Sequence, residues 1–502
     1  EEAKKLIEKN FGEEYEIKQL LGVGTVAETY LAKGKDGKDV CIKILKDGIT
    51  KEKIQADKVK FDKLIENSVE DIEKQKYLKR NLDDLYKGIS EEINLENEKI
   101  AAENLVNYTS VAKVVKPIKV VNNMYVMEKA DGISLESLIN LNTATEFKKA
   151  IEKNVPIKTL IGDLEEEDAI RKMLTKDGRY VEKEEAIEIL QKYIDKVQSR
   201  TPQYGDIKLS KNDIKALIEE YQQVLIEQFN KVDKKGKVLH ADIHPGNIFI
   251  DINALKNRKG GSLRSTATML TGKRSNNQIF TLIDTGNTIK MDQAQALRSI
   301  NLSSYIKRAN VNDITEYVLD GAILPKGMTK EQATTIISDK LKQVFFDTST
   351  SCEKITNESL INLTTNIMRE HGIIPADTAL NLNKARTSAN NSLAGLYDSM
   401  GRLYASDILS ECFSSGADPM TVARKLMGTL TEAAKDVLVL KRKNTAMQAA
   451  QEKFNLKNMT ADLRKKYKHN PNNLATNSED LLTYELKQSI RKGLPEDIGE
   501  ML

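Results

Sequence analysis

The chain contains no tryptophan, nine prolines, four histidines and three cysteines in 502 residues. Each scarcity excludes something. Cys41, Cys352 and Cys412 are widely spaced and odd in number. They form neither a disulfide framework nor a CxxC metal pair, which points to a reducing compartment. Each reads most simply as a small buried hydrophobe. No run reaches the roughly 18 apolar residues that a transmembrane helix needs. The opening Glu1-Glu2-Ala3-Lys4-Lys5 does not read as a signal peptide. A cytoplasmic location, at most peripheral to a membrane, is the expectation. Charge of one sign is lacking too. Lys+Arg 77 against Asp+Glu 74 leaves a formal charge of +3, which argues against a dedicated nucleic-acid binder. Few prolines beside long Lys/Glu/Leu/Ile stretches indicate a mostly helical protein, long enough for two or three packed lobes.

The scarce histidines are concentrated. Two of the four lie in His240-Ala241-Asp242-Ile243-His244-Pro245-Gly246-Asn247, which runs into Ile248-Phe249-Ile250. A second apolar run, Phe280-Thr281-Leu282-Ile283, then delivers Asp284-Thr285-Gly286. An Asp, an Asn and a strand ending in a second Asp is the order in which protein-kinase-type phosphotransferases place proton acceptor and metal ligands.

The N-terminal part reads as strand, glycine turn, strand, turn, strand. Glu16 to Leu21 and Ala27 to Ala32 flank Gly22-Val23-Gly24-Thr25, and Asp39 to Leu45 follows after Lys33-Gly34-Lys35-Asp36-Gly37. Gly22-x-Gly24 lets backbone N–H groups approach a polyphosphate without Cβ interference. An ordinary hairpin turn is the plain alternative, and a third glycine is missing at Ala27. Lys43 sits among strand formers, where a charge needs a partner or a ligand. Residues 50–105 read as helices with an apolar face of Ile54, Phe61, Leu64, Ile65, Val69 and Ile72, and with glutamates that could pair with Lys43. Residues 111–126 alternate as strands around an Asn122-Asn123 turn. Tyr125 to Asp131 leads into Gly132 in the manner of a hinge. Residues 136–235 and those beyond Met291 read as helices. Between them, 253–278 carries Lys256, Arg258, Lys259, Arg264, Lys273 and Arg274 and no acid. That segment suits contact with phosphate or an anionic surface; its plain alternative is a solvated loop.

These residues resemble the UbiB-type atypical kinase-like family, associated with ubiquinone biosynthesis and lipid homeostasis. The family's His-Ala-Asp-x-His-Pro-Gly-Asn is complete at His240–Asn247. Its Met-Glu-x-x-x-Gly hinge stands at Met127–Gly132, and its LLDFG appears as Leu282-Ile283-Asp284-Thr285-Gly286. There are departures. Gly22 and Gly24 replace an alanine-rich loop, Asn94 replaces the Asp of Glu-x-Asp, and Thr285 replaces a Phe. The family's Lys-x-Gly-Gln extension, which covers the substrate side of the cleft, has no counterpart here, which implies a cleft open to another substrate.

The resemblance implies an α+β, protein-kinase-like bilobal fold. Residues 1–130 would form a small β-rich N-lobe with a helical insert at about 50–90. Residues 131–400 would form a mainly helical C-lobe with a long insert near 138–210; the resemblance covers roughly 15–400, and 401–502 read from their own residues as a C-terminal helical extension. The implied activity is an ATP- and Mg²⁺-dependent phosphotransferase or ATPase. Lys43 would hold the nucleotide phosphates, oriented by Glu98 with Glu92 in reserve. Asp242 would be the catalytic base, and Asn247 and Asp284 the metal ligands. Met127 and Glu128 would line the adenine pocket, and Gly22, Gly24 and Thr25 would cover the nucleotide. His240 would brace the loop. Three other readings stand beside this one: a nucleotide-binding pseudokinase acting as an interaction module, a small-molecule phosphotransferase, and a metallohydrolase in which His240, Asp242 and His244 alternate along a strand. The phosphoryl acceptor, whether lipid, small molecule or protein, is not legible.

Overall fold

The computed structural model describes residues 2–161, 164, 168–258, 278–346, 355–414 and 419–463. The chain is α+β and forms two compact units. One comprises Glu1–Thr109, Lys113–Asp131 and Thr281–Thr288; the other comprises Ser110–Ala112, Gly132–Phe280 and Ile289–Leu502.

The first unit is built on an antiparallel five-stranded sheet. Helix α1 (Glu2–Phe11) precedes strands β1 (Tyr15–Val23), β2 (Ala27–Gly34) and β3 (Asp39–Leu45). Helices α2 (Lys51–Ser68), α3 (Ile72–Glu92) and α4 (Leu95–Tyr108) follow. After the short β4 (Lys113–Val114) come β5 (Pro117–Val121) and β6 (Met124–Glu128). The sheet order is β1-β2-β3-β6-β5. Asn122, at φ 52°, makes the tight turn between β5 and β6 that the Asn-Asn pair suggested.

Period-two alternation decides where Lys43 points. Val40, Ile42 and Ile44 face α1, where they bury with Ile7, Phe11, Met124 and Val126. Fully burying a large apolar side chain contributes about 1.5–3 kcal/mol, so this layer is a large share of the unit's stability. Cys41 and Lys43 take the opposite face. There Tyr125, the cross-strand neighbour of Lys43, packs with Ile93 and Leu95. Helix α4 begins on that side, capped by Asn94, whose side chain accepts from the Asn97 N–H at 3.2 Å.

The apolar face expected on residues 50–72 is not buried. Helix α2 has no buried residue, and Phe61 and Leu64 are 49% and 57% exposed. Helices α2 and α3 pack on one another, with Phe61 and Tyr86 ring centroids 6.5 Å apart. A pair of helices covers one stripe of each and leaves the rest in solvent.

The second unit is mainly helical. Strand β7 (Ile133–Ser134) leads into α5 (Leu135–Glu152), capped by Ser134. Helix Lys211–Asn230 starts with a reciprocal Ser210/Asp213 capping box. It packs with the long helices Asp377–Ser414 and Pro419–Asn458, and α5 packs on the first of these. The apolar positions Ile214, Leu217, Ile218, Tyr221, Val224 and Phe229 of helix Lys211–Asn230 are buried. A separate layer gathers Leu302, Ile314, Ile337, Leu341, Leu360 and Ile373. The stretch read as purely helical also contains a hairpin, Thr175–Lys176 with Arg179–Tyr180. Its turn is Asp177-Gly178, both at positive φ, which is the Asp-Gly hairpin signal. Among the described residues, no helix is long and apolar enough to cross a membrane.

Candidate active site

In the first unit, β3 and α4 bring Lys43 and Glu98 together. Lys43 Nζ donates to Glu98 Oε2 at 2.8 Å and stands 3.5 Å from Asp284 Oδ1. The Glu98 side chain is 4% exposed, Lys43 16% and Asp284 50%. Asp284 is placed by a parallel pairing of Thr281 and Leu282 with Lys113 and Val114. Its backbone is left-handed at φ 54°, a region that Asp tolerates better than most residues. Burial works against the Lys43 charge, but Glu98 and Asp284 outweigh it and hold the ammonium above its ordinary value. Burial pushes the Glu98 carboxyl up, Lys43 opposes this, and Asp284 adds to it. Two carboxylates around one ammonium favour an added proton, so both shifts run the same way.

Of the candidate glutamates, Glu98 holds the lysine. Glu92, the reserve, is exposed at the end of α3. Thr285 is buried and its hydroxyl lies 3.5 Å from the Glu98 carbonyl oxygen, so the residue in place of an aromatic leans on α4 by a polar contact. Asn94, another of the departures noted in the sequence, caps that helix.

The glycine turn joins β1 and β2, where Gly24 N–H donates to Ala27 O at 2.8 Å. A Cβ at Gly22 would meet nothing within 4 Å, and neither Gly22 nor Gly24 has positive φ. The fold therefore does not demand glycine at either position. Thr25 is exposed beside them. Met127 pairs with Cys41 across the sheet. The Glu128 side chain is exposed and its N–H is already donated to Lys116 O at 2.9 Å, so that N–H is not open to a ligand.

In the second unit, strand Lys237–His240 ends at the motif. His240 is fully buried. Its N–H donates to Gln228 Oε1 at 2.9 Å, and its Nδ1 accepts from the Asp242 N–H at 3.1 Å. Asn247 donates its amide to Asp242 O at 3.1 Å and to Asp242 Oδ2 at 3.3 Å. A 3₁₀ turn, Pro245–Asn247, makes that reach possible, with His244 Nδ1 accepting from the Gly246 N–H. His244 Nε2 lies 3.8 Å from Asp242 Oδ2. Because the strand stops at His240, the alternation assumed for a His-Asp-His metal triad does not apply. Among the described residues, no group of three or more His, Cys, Asp or Glu is placed to hold a metal ion.

Some of the supports were not read from the sequence. Gln228 fixes His240, and Glu227 accepts from the Ser110 and Val111 N–H groups. Their signal was the presence of two polar residues inside the buried face of a helix. The basic segment lies largely outside the described residues, at 259–277. Arg258, which is described, pairs with Glu219 at 2.9 Å and Glu220 at 2.8 Å, so its charge is spent inside the unit.

No curated protein sequence matches this chain. Among solved structures, an erythromycin complex of Rv3197 from Mycobacterium tuberculosis aligns at 12% identity, covering 83% of each chain, with a TM-score of 0.37. An ethanolamine kinase from Plasmodium vivax aligns at 13% identity over 85% of this chain and 86% of the other, with a TM-score of 0.21. The family comparison is more specific: it takes in the glycine turn, Lys43, Glu98 and the Met127-Glu128 stretch, and ends before the loop of Asp242. Residues 1–162 match the ABC1 atypical kinase-like domain, which is the UbiB-type family.

Proposed function

We propose that the chain is an ATP- and Mg²⁺-dependent phosphotransferase of the UbiB atypical kinase type, able to act as an ATPase where no acceptor is bound. The observation that supports this most is the Lys43–Glu98–Asp284 cluster within the first unit. A lysine locked to a buried glutamate and shared with a half-exposed aspartate suits the binding of polyphosphate beside a hard cation. The domain-scale reading is that 1–130 serve as N-lobe, 131–400 as C-lobe and 401–502 as an added helical extension.

The residues fit magnesium chemically. Asp284 offers a half-exposed carboxylate. Asn247 spends its amide N–H on Asp242, which leaves its carbonyl oxygen for a hard cation. When bound, Mg²⁺ would neutralise phosphate charge as the transferring group loosens. The rest falls to the chain's own side chains. Lys43 would hold the phosphates, and Glu98 would keep Lys43 extended. Asp242 would orient the attacking hydroxyl and accept its proton, with Asn247 fixing the carboxylate and His240 holding the Asp242 backbone N–H. The open Gly22–Thr25 turn would let backbone N–H groups close on the phosphates. Met127 and the hinge carbonyls would meet the adenine.

Asp242→Ala tests this. Turnover of ATP should fall to the uncatalysed level while calorimetric binding of Mg·ATP persists. Equal residual hydrolysis in wild type and variant would overturn the catalytic reading. A pseudokinase is the second reading, favoured by the buried Thr285 where a kinase carries Phe. It predicts nucleotide binding with no turnover in either protein.

A further inference from the structure

The second unit holds a cavity of about 460 Å³ against the loop that carries Asp242. That volume lies within the ~300–1,000 Å³ of small-molecule sites. Pro245 of the loop forms one edge. Helix α5 supplies Glu136 and Ile139, the insert supplies Leu160 and Asp168, and helix Asp377–Ser414 supplies Asp398 and Arg402. Glu136 lies against the loop itself: its Oε2 is 3.3 Å from where a Cβ at Gly246 would stand. Gly395 of the long helix stands against Ile139 of α5, where an added Cβ would lie 2.9 Å from Ile139 Cδ1. The cavity is thus built by three chain segments that no local structure would otherwise bring to the catalytic loop.

Its chemistry is lopsided. Ile139, Phe147, Leu160 and Leu164 make an apolar lining. Three carboxylates, Glu136, Asp168 and Asp398, share the lining with one guanidinium, and Asp168 also caps helix Ala169–Met173 by accepting from the Ile170 and Arg171 N–H groups. Arg402 donates to Thr143 Oγ1 at 2.9 Å and lies 6.0 Å from the centroid of the Phe147 ring, with Asp398 and Asp168 as its nearby opposite charges, so one positive charge is set against three negative ones. Net negative charge over an apolar lining attracts a cation with an apolar body and repels anions.

We infer that this cavity binds the phosphoryl acceptor, and that the acceptor is a small alcohol bearing an ammonium group. The inference rests on the phosphotransferase reading for the word acceptor, and on the cavity alone for the cation. In the transfer, the hydroxyl oxygen forms a bond to the γ-phosphorus of ATP. The bond from that phosphorus to the β–γ bridging oxygen breaks, ADP leaves with the electron pair, and the hydroxyl proton passes to Asp242.

The test is titration calorimetry on the full chain without nucleotide. The probes are choline, its uncharged isostere 3,3-dimethylbutan-1-ol, and the anion 3-hydroxypropanoate. Choline should bind at least tenfold more tightly than the isostere, and the anion should give no heat. Glu136→Gln and Asp398→Asn should each weaken choline about tenfold, the order expected for losing one charge-assisted contact. Glu136 is exposed, so its variant should keep the wild-type unfolding midpoint. Equal affinity for choline and isostere, no choline binding, or unchanged affinity in both variants would overturn the cation site. Choline binding without phosphocholine formation from ATP would overturn the acceptor role while leaving the cation site standing. Phosphocholine formed by wild type, and not by an Asp242→Asn variant that still binds choline, is the result expected.

Discussion

One ammonium, that of Lys43, serves two carboxylates: Glu98 at 2.8 Å and Asp284 at 3.5 Å. Glu98 is the more buried, so it depends on the lysine more than Asp284 does. Lys43→Met should therefore destabilise the fold by about 3 kcal/mol, the low end for breaking a buried pair, because Lys43 and Asp284 keep some solvent. Lys43→Met with Glu98→Gln should recover most of that loss, since the orphaned charge is gone. Urea unfolding of the two variants checks this. A single variant as stable as wild type would show that the pair carries nothing but ligand contacts. Nucleotide affinity should fall in both.

Two glycines, one in each unit, predict opposite outcomes. At Gly132, φ is 114° and a Cβ would sit 2.2 Å from the Ile250 carbonyl oxygen. Gly132→Ala should cost more than about 1–3 kcal/mol, combining backbone strain with a clash that only a backbone shift relieves. Gly22 has neither constraint. Gly22→Ala should leave the thermal midpoint unchanged and alter only the affinity for Mg·ATP. A stability loss at Gly22 would mean that the turn is packed in a way its open surroundings do not show.

The contrast between these glycines also marks what a single sequence can and cannot tell. Alternation along Asp39–Leu45 is enough to set Lys43 opposite Val40, Ile42 and Ile44, because it depends on neighbours alone. The apolar positions of α2 gave the helix, but not its exposure. A spacing pattern says which residues share a face, and says nothing of how much protein lies against it. Glu98 could not be separated from its neighbouring glutamates by spacing, since that choice is made where β3 and α4 pack. The cavity beside Pro245 was invisible for the same reason. Its walls come from three distant segments, and only packing makes them neighbours. Asp177-Gly178 is a different case: the turn signal was present in the dipeptide and went unread inside a helical stretch.

His240 should behave as a positioning residue. It is wholly buried, and its ring accepts the Asp242 N–H. His240→Ala removes that acceptor and opens a cavity, which together should cost about 2–4 kcal/mol. Turnover should drop while the affinity for Mg·ATP stays within a few fold, since the ring touches the loop and not the phosphates. His240→Asn, which keeps an acceptor, should recover part of the turnover. A loss of nucleotide affinity as large as the loss of turnover would contradict the bracing role.

Lys237, three residues before His240 on the same strand, gives the pH prediction. Its side chain is fully buried and donates to the Phe229 carbonyl oxygen. Burial first, and the nearby Arg386 second, hold its ammonium well below the ordinary 10.5. Between the native value and that of the unfolded chain, the unfolded state therefore holds a proton that the native state has released. Stability should rise with pH through this window, be fully gained above the unfolded value, and be lost as pH falls through the native one. Lys237→Met removes the titrating group, so the difference in stability between wild type and variant should shift in favour of wild type as pH rises. Urea unfolding of both proteins at several pH values from about 6 to 10 measures that difference. Parallel curves would mean that Lys237 keeps its proton in the fold. In that event its ammonium would have to be held by groups other than the Phe229 carbonyl, and the strand leading to His240 would carry a buried charge.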